Sequence, residues 1–554
     1  MVRRHARRYG YQLLREQILD VQRRTITIVG RDVSLWTLAL VAILLLGLLL
    51  RLKGLHNPII DHPGWRQGDE AAIARNFASL QYNPLYPQTD YNGPPPNYVE
   101  LELQIVPFLA ATLYKIFGVH EVFGRLISIA FSLGTVALLA FFARWLFADA
   151  LAGLVAGFLF AVMPGSVYYG RTFTPDTAMV FFLVAALYAG ARYFIDDETL
   201  SWRGWMRASS LLVLALLAKP VAAIALLPLA TLAFERIVSG RTLRLGRIVL
   251  CLLLPVVVLY AYDRFESSVA EWHWASGIVR LHVLPALGAA LTNGAAFAQK
   301  WQYFRDVLTL LSRTMVGAGC MALMLLGILF PAPMRSRSIL WTWLLASALY
   351  AYTVVTVERV DYYLYPILPL AALAGAAFIL TVTRALDALL RGVAVKRACL
   401  AAALLLAVVL TLANRNAVKP YYAYGAAVYR NAVTLNSTLA PGALIVMGHY
   451  DPSVLYYINR KGWEEDPYLW TPFDEQSAIA KGARYFVAIE RNRFEKNVEL
   501  YNWMQRFPVI NPNAKWPVYQ TNPAQVLPGA GARWRRFRSA EKAGRASQFI
   551  PKRH

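Results

Sequence analysis

From residue 33 to about residue 413 the chain is a succession of apolar runs separated by short polar and basic loops. A bilayer core about 30 Å thick takes about 20 helical residues to cross. The pattern predicts spans at 33–52, 126–147, 151–168, 177–194, 248–262, 307–330, 339–356, 367–385 and 398–413. Residues 208–234 read as a tight helical pair broken at Lys219-Pro220, because proline has no amide hydrogen for the ladder and crowds the preceding turn. About eleven transmembrane helices are expected on this hydropathy reading. The first follows a long arginine-rich stretch with no small-residue cleavage site, so it is expected to stay as an anchor.

Past residue 413 the pattern changes. Helical stretches alternate with strand-like runs at 443–447 and 484–488, which predicts a small α/β domain over 414–530. Residues 531–554 hold eight basic side chains against Glu541 alone and are expected as a disordered arm for anionic headgroups or glycans. The chain is thus divided into a basic segment 1–32, a membrane module 33–413, the domain 414–530 and the tail.

One apolar run is short. Residues 103–117 begin beside Glu100 and Glu102 and contain Pro107 and Lys115. If this run lies in the interface, the arginines of the N-terminus share one side with Arg236, Arg241, Arg244 and Arg247, with Arg335 and Arg337, and with Arg384 and Arg391. If it spans, all the later loops change side. An interfacial amphipathic helix is the reading that satisfies the positive-inside rule. The N-terminus is then cytoplasmic, and the loop 53–125 and everything after 413 lie outside, in the periplasm of a cell with an inner membrane.

Composition narrows the class. Of 554 residues, 57% are hydrophobic and 16% charged, which excludes an ordinary soluble enzyme. Aromatics at 13% exclude a disordered scaffold. The formal net charge of +23 would suit nucleic acid or anionic lipid. Its placement in loops beside spans makes it a topology signal, so nucleic acid is not an expected partner, whereas membrane lipid is. Cys251, Cys320 and Cys399 all sit in apolar stretches, without a disulfide framework or a metal-knuckle spacing.

Candidate chemistry gathers on the outer side. In Trp65-Arg66-Gln67-Gly68-Asp69-Glu70, a helix from about Asp69 would lay Ile73, Phe77 and Leu80 on the membrane surface. Asp69 is then either a helix cap or a catalytic carboxylate. Asp176, at the start of the next outer span, is either a helix start or its partner. Two such carboxylates can divide the work, one taking a proton while the other holds an acceptor or a metal. Arg66, Arg75, Arg171 and Lys219 are cations at the same level, as a leaving phosphate requires; for Lys219 the alternative is snorkelling. Tyr362 and Tyr363 suit a substrate platform or an aromatic belt. Glu100 and Glu102 are either solvated or ligands for a divalent metal ion. There is no P-loop, dinucleotide fingerprint or GxSxG elbow.

The stretch from Trp65 to Phe77, then Phe117-Gly118-Val119-His120-Glu121, then Arg171-Thr172-Phe173-Thr174-Pro175-Asp176, resembles the GT-C superfamily of lipid-linked-sugar glycosyltransferases. The nearest types are the protein O-mannosyltransferases and the lipid A aminoarabinose transferases. Asp361-Tyr362-Tyr363 and Leu455-Tyr456-Tyr457 fit as well, and the likeness covers most of 33–500 in order. The resemblance implies the GT-C fold and an inverting transferase at the outer face of the cytoplasmic membrane. Such an enzyme moves a sugar from a polyprenyl phosphate to a hydroxyl of a glycolipid, polysaccharide or protein. It implies Asp69 as general base, Asp176 as its supporting carboxylate, Arg171 and Lys219 as phosphate contacts, and Glu70 in the acidic pair. This chain departs from the pattern at Glu102, near where the aminoarabinose type carries a lysine, and at Val360, where relatives often have histidine. An anion at 102 implies a donor held differently or through a metal bridge. The competing class is a polytopic transporter or lipid flippase. It calls for ionisable residues at span centres, which here are nearly charge-free apart from Arg313.

Overall fold

The computed structural model describes residues 25–28, 31–240, 244–389, 393–543 and 545–549. The arginine-rich stretch up to residue 24, Arg241, Arg391 and the last residues of the tail lie outside the described residues.

Six described helices are long and apolar enough to cross a bilayer: Glu121–Phe147, Asp176–Ile195, Pro220–Val238, Leu245–Val269, Ser338–Glu358 and Asp361–Leu389. Two bent pairs raise the number to as many as eight, and Leu35–Arg51 and Ala150–Val162 are shorter apolar helices of 17 and 13 residues. The run expected as a single span at 307–330 is not straight: helices Gly294–Met315 and Ala318–Leu329 meet at 114°. The break falls at Gly317, whose φ of +85° suits glycine, and where a Cβ would stand 2.3 Å from Asn414 Oδ1. Pro220 ends helix Trp202–Ala218 and opens a 3₁₀ turn, as the Lys219-Pro220 break predicts. Leucines and valines such as Val249, Leu253, Leu349 and Leu405 stand exposed on these helices, a surface that suits lipid and not water.

The polar loops at one end of the bundle are tied together. Arg335 Nε donates to Trp145 O at 2.8 Å, Arg384 pairs with Asp149 at 3.5 Å, and Arg236 donates to Phe194 O at 2.9 Å and Glu198 O at 2.7 Å. Helix Asp176–Ile195 therefore runs from the opposite end into this basic end. The 13-residue helix Ile105–Phe117 lies at the other end, ahead of Glu121–Phe147.

Residues beyond 425 build a four-stranded sheet in the order Lys461–Glu464, Leu444–Met447, Ala483–Val487, Val518–Gln520. The first three strands are parallel and the last antiparallel. Helix Pro452–Ile458 leaves this sheet to pack on helix Gly64–Ser79. The approach is close because Gly68 has no side chain: a Cβ there would sit 2.6 Å from the backbone of Ser453. Residues 531–542, expected within a disordered arm, instead belong to helix Ala530–Lys542. It buries Phe537 and Ala540, and Arg538 bonds Glu499 at 2.9 Å, so part of the tail's positive charge is answered by this domain.

Candidate active site

Helix Gly64–Ser79 carries most of the candidate side chains, and it starts five residues earlier than expected. Pro63 occupies the cap position, so Asp69 lies inside the helix and is not a cap. Nor does the helix lie on a membrane surface. Ile73 and Phe77 are buried with Ala111 of Ile105–Phe117, and only Leu80, past the helix end, is exposed. Tertiary packing takes over the apolar stripe that was expected to face lipid.

The entry to this helix is fixed by a buried ionic clamp. Asp61 accepts from Arg125 at 3.0 Å, from Arg171 at 2.5 Å and from Gln67 Nε2 at 2.7 Å, and all four residues are fully buried. Arg125 and Arg171 also donate to the Gly54 carbonyl at 2.9 Å and 2.8 Å. Arg171, expected on the donor phosphate, is thus committed to holding the loop 54–61. Arg75 is likewise withdrawn. It pairs with Asp90, donates to Tyr456 O at 3.0 Å and stacks over the Tyr456 ring at 4.4 Å, joining the helix to the C-terminal sheet unit.

The remaining candidates do converge. Arg66 Nη2 meets Glu70 Oε1 at 2.8 Å and also pairs with Glu102. Lys219 Nζ bonds Asp176 Oδ1 at 2.7 Å and stands 4.7 Å from the ring centre of Tyr363 and 5.1 Å from that of Tyr362. Four carboxylates and two cations, all largely buried, occupy one end of the bundle opposite the basic loops. Asp69 Oδ1, Glu70 Oε2 and Asp176 Oδ2 have no hydrogen-bond partner among the described residues.

Within this cluster, Asp69 and Glu70 face different ways, since successive helical residues are turned by about 100°. Glu70 feels Arg66, Glu102, Asp69 and Asp176. Asp69 feels Arg66, Tyr91, Asp451 and Trp65. The carboxylate beside Asp176 is therefore Glu70, while Asp69 looks toward the C-terminal unit. Burial pushes Asp69 up to about 7, against the pull of Arg66 and the hydrogen bonds from Tyr91 and Trp65. Burial also raises Glu70; Arg66 opposes it, and Glu102, Asp69 and Asp176 add to it. Where Asp69 points, Glu464 is buried with an unpartnered Oε2, and burial and Asp69 raise it well above the usual range. Trp65 and Tyr450 meet edge to face at 4.4 Å beside it.

Sequence reasoning missed Tyr91, Asp451 and Glu464. The acidic run Glu464-Glu465-Asp466 at the end of a strand was the available signal. It also missed His62, whose Nε2 lies 3.0 Å from Asp361 Oδ2. Tyr421 donates to the same carboxylate at 2.5 Å, and Asp361 accepts from the Tyr362 amide at 2.9 Å, so this group sets the ring platform around Lys219.

A metal site does not assemble from these residues. Among the described residues no three His, Cys, Asp or Glu side chains are grouped to hold an ion. Glu100, expected to join Glu102, turns away to Ser267 at 3.0 Å, Ser276 at 2.8 Å and His273 at 3.3 Å. Glu102 is taken by Arg66.

This architecture is a helical membrane bundle with its acidic–basic cluster at one end and a sheet unit packed over it. Residues 104–261 match the family model described as dolichyl-phosphate-mannose-protein mannosyltransferase. The structure is similar to ArnT from Cupriavidus metallidurans bound to undecaprenyl phosphate, with TM-score 0.55 and 15% identity, over 89% of this chain and 99% of that one. It is also similar to the apo oligosaccharyltransferase of Archaeoglobus fulgidus, with TM-score 0.58 and 14% identity, over 89% and 75%. No curated protein sequence matches the chain. The chain shares the fold of these two structures, and it is a multi-pass membrane protein.

Proposed function

We propose that the protein is an inverting glycosyltransferase that moves a sugar from a polyprenyl phosphate to an acceptor hydroxyl. The observation that carries this reading is the convergence of Arg66, Asp69 and Glu70 with Asp176–Lys219 and the Tyr362–Tyr363 platform at one end of the bundle. Undecaprenyl phosphate in the ArnT structure supports a lipid-linked donor. The basic loops lie at the other end, which the positive-inside rule makes cytoplasmic, so the cluster faces the outer compartment.

Asp69 acts as general base. A carboxylate held near 7 is ionised in a large fraction at neutral pH and is still basic enough to accept a proton. It takes the hydrogen of the acceptor hydroxyl as that oxygen attacks the anomeric carbon from the face opposite the phosphate. The bond from that carbon to the phosphate oxygen breaks, and polyprenyl phosphate leaves with the electron pair. Arg66 and Lys219 offset the charge growing on its oxygens. The four carboxylates outnumber these two cations, and protonation of Glu70, favoured by burial and its acidic neighbours, brings the cluster nearer to neutral for an anionic donor. Asp176 holds Lys219 in place.

Asp69→Asn in purified, folded protein is expected to abolish transfer from a polyprenyl-phosphate sugar while leaving donor binding intact. Full activity in that variant would overturn the assignment of the base.

A further inference from the structure

The basic end of the bundle contains a cavity of about 450 Å³ that the glycosyl-transfer reading does not use. It opens between helices Glu121–Phe147, Asp176–Ile195 and Trp202–Ala218. Arg192, Arg203 and Arg207 line it at one level, and Leu138, Ala189 and Leu211 line it at another. Helix Asp176–Ile195 connects the two ends of the molecule. Its 20 residues rise about 30 Å, one bilayer core, so the cavity lies at the opposite membrane face from Lys219–Asp176.

The charges of the cavity are unbalanced in a specific way. Asp197 is occupied by its own turn: its carboxylate accepts from Thr199 N and Oγ1 at 3.2 Å and 3.0 Å, and from Ser201 N and Oγ at 2.9 Å and 2.5 Å. Asp196 accepts from Trp145 Nε1 at 2.7 Å and is shared by Arg192 at 3.5 Å and Arg335 at 3.4 Å. That leaves Arg203 and Arg207, one turn apart on the same helix face, without a hydrogen bond or ion pair among the described residues. Tyr193 also lines the cavity, is 2% exposed, and has a hydroxyl with no partner among the described residues. Two free guanidinium groups above an apolar wall between helices match a phosphate joined to acyl chains.

We propose that this cavity binds the headgroup of an anionic glycerophospholipid in the leaflet opposite the catalytic cluster. The phosphate sits on Arg203 and Arg207 and one chain runs down past Ala189 and Leu211. A free phosphate ester shares the headgroup chemistry but makes no use of the apolar wall, which separates the two sources. The proposal does not depend on the transferase reading.

The test titrates delipidated full-length protein in detergent with phosphatidylglycerol, phosphatidylcholine and sn-glycerol 3-phosphate, following bound lipid by native mass spectrometry and the melting temperature. Phosphatidylglycerol is expected to bind at least about tenfold more tightly than phosphatidylcholine, with glycerol phosphate inert over the same range. Arg203→Gln with Arg207→Gln should weaken phosphatidylglycerol at least about tenfold, since both cations facing the phosphate are lost. The lipid-free melting temperature should not fall, because the two side chains are exposed and unpaired. Ala189→Leu, which fills the apolar wall and leaves every charge in place, should weaken the lipid as well. Equal binding of the two lipids, unchanged phosphatidylglycerol binding in the double variant, or glycerol phosphate binding as tightly as the lipid would each overturn it.

Discussion

The clamp on Asp61 gives the sharpest test of how this site is built. Asp61→Asn keeps the volume and most of the hydrogen-bonding capacity and removes only the charge. Two guanidinium groups, Arg125 and Arg171, then remain fully buried around a neutral amide. With charge centres about 4 Å apart and an effective dielectric of about 20, each lost attraction is about 4 kcal/mol. Removing the charge also removes the cost of keeping it out of water, and the Asn amide oxygen still accepts a hydrogen bond, which offsets part of the two lost attractions. The net loss is therefore expected near the range for a broken buried pair, about 3–5 kcal/mol. That is a large share of a typical stability of about 5–15 kcal/mol. Hydrogen exchange should report it locally: amides of 54–67 should exchange at least about a hundredfold faster, while those of the distant sheet around Val446 stay protected. Arg171→Gln should reproduce the effect, and in a double-mutant cycle with Asp61→Asn the two losses should fall well short of adding. Wild-type exchange over 54–67 in Asp61→Asn would refute the clamp. So would Arg171→Gln that retains its stability but binds donor poorly, since that is the behaviour of a phosphate contact.

Further expectations concern the site itself. Because burial raises Asp69 to about 7, the ionised base accumulates as pH rises, and transfer should climb between about pH 6 and 8 with an apparent midpoint near 7. Linkage has the opposite sign for stability. The folded state holds this proton where the unfolded chain has lost it, so the contribution of Asp69 falls as pH rises from about 4 through 7. Asp69→Asn should therefore melt higher than the native protein at pH 8 and show a smaller difference at pH 4, in melting curves across that range. Lys219→Met leaves Asp176 buried and unpaired, and it is expected to cost about 3–5 kcal/mol as well as activity; native stability by denaturant titration would contradict the pairing. Gly68→Ala puts a methyl group 2.6 Å from the Ser453 backbone, so the helix and the sheet unit must part, at about 1–3 kcal/mol. Limited proteolysis near residue 453 should then accelerate.

The sequence alone determined the elements whose physics is local. Apolar runs long enough to cross a bilayer, a proline break at Lys219-Pro220, strand-like runs at 443–447 and 484–488 and a gathering of arginines in alternate loops all follow from composition and period, which act over a few residues. It also placed Asp69, Glu70, Asp176 and Lys219 at one end of the bundle, because loops between spans have only two ends to occupy. What it left open was the partner of each charge. Arg66, Arg75 and Arg171 read alike along the chain, yet one sits in the cluster, one ties the helix to the sheet unit and one is locked on Asp61. Asp69 and Glu70 are neighbours in sequence, but the turn of the helix sends one toward Glu464 and the other toward Asp176. The close approach at the Gly317 bend was equally unreadable, since the side chain it meets, Asn414, is almost a hundred residues away. Partners of buried charges and close backbone contacts are set by packing between distant segments, and only the tertiary structure decides them.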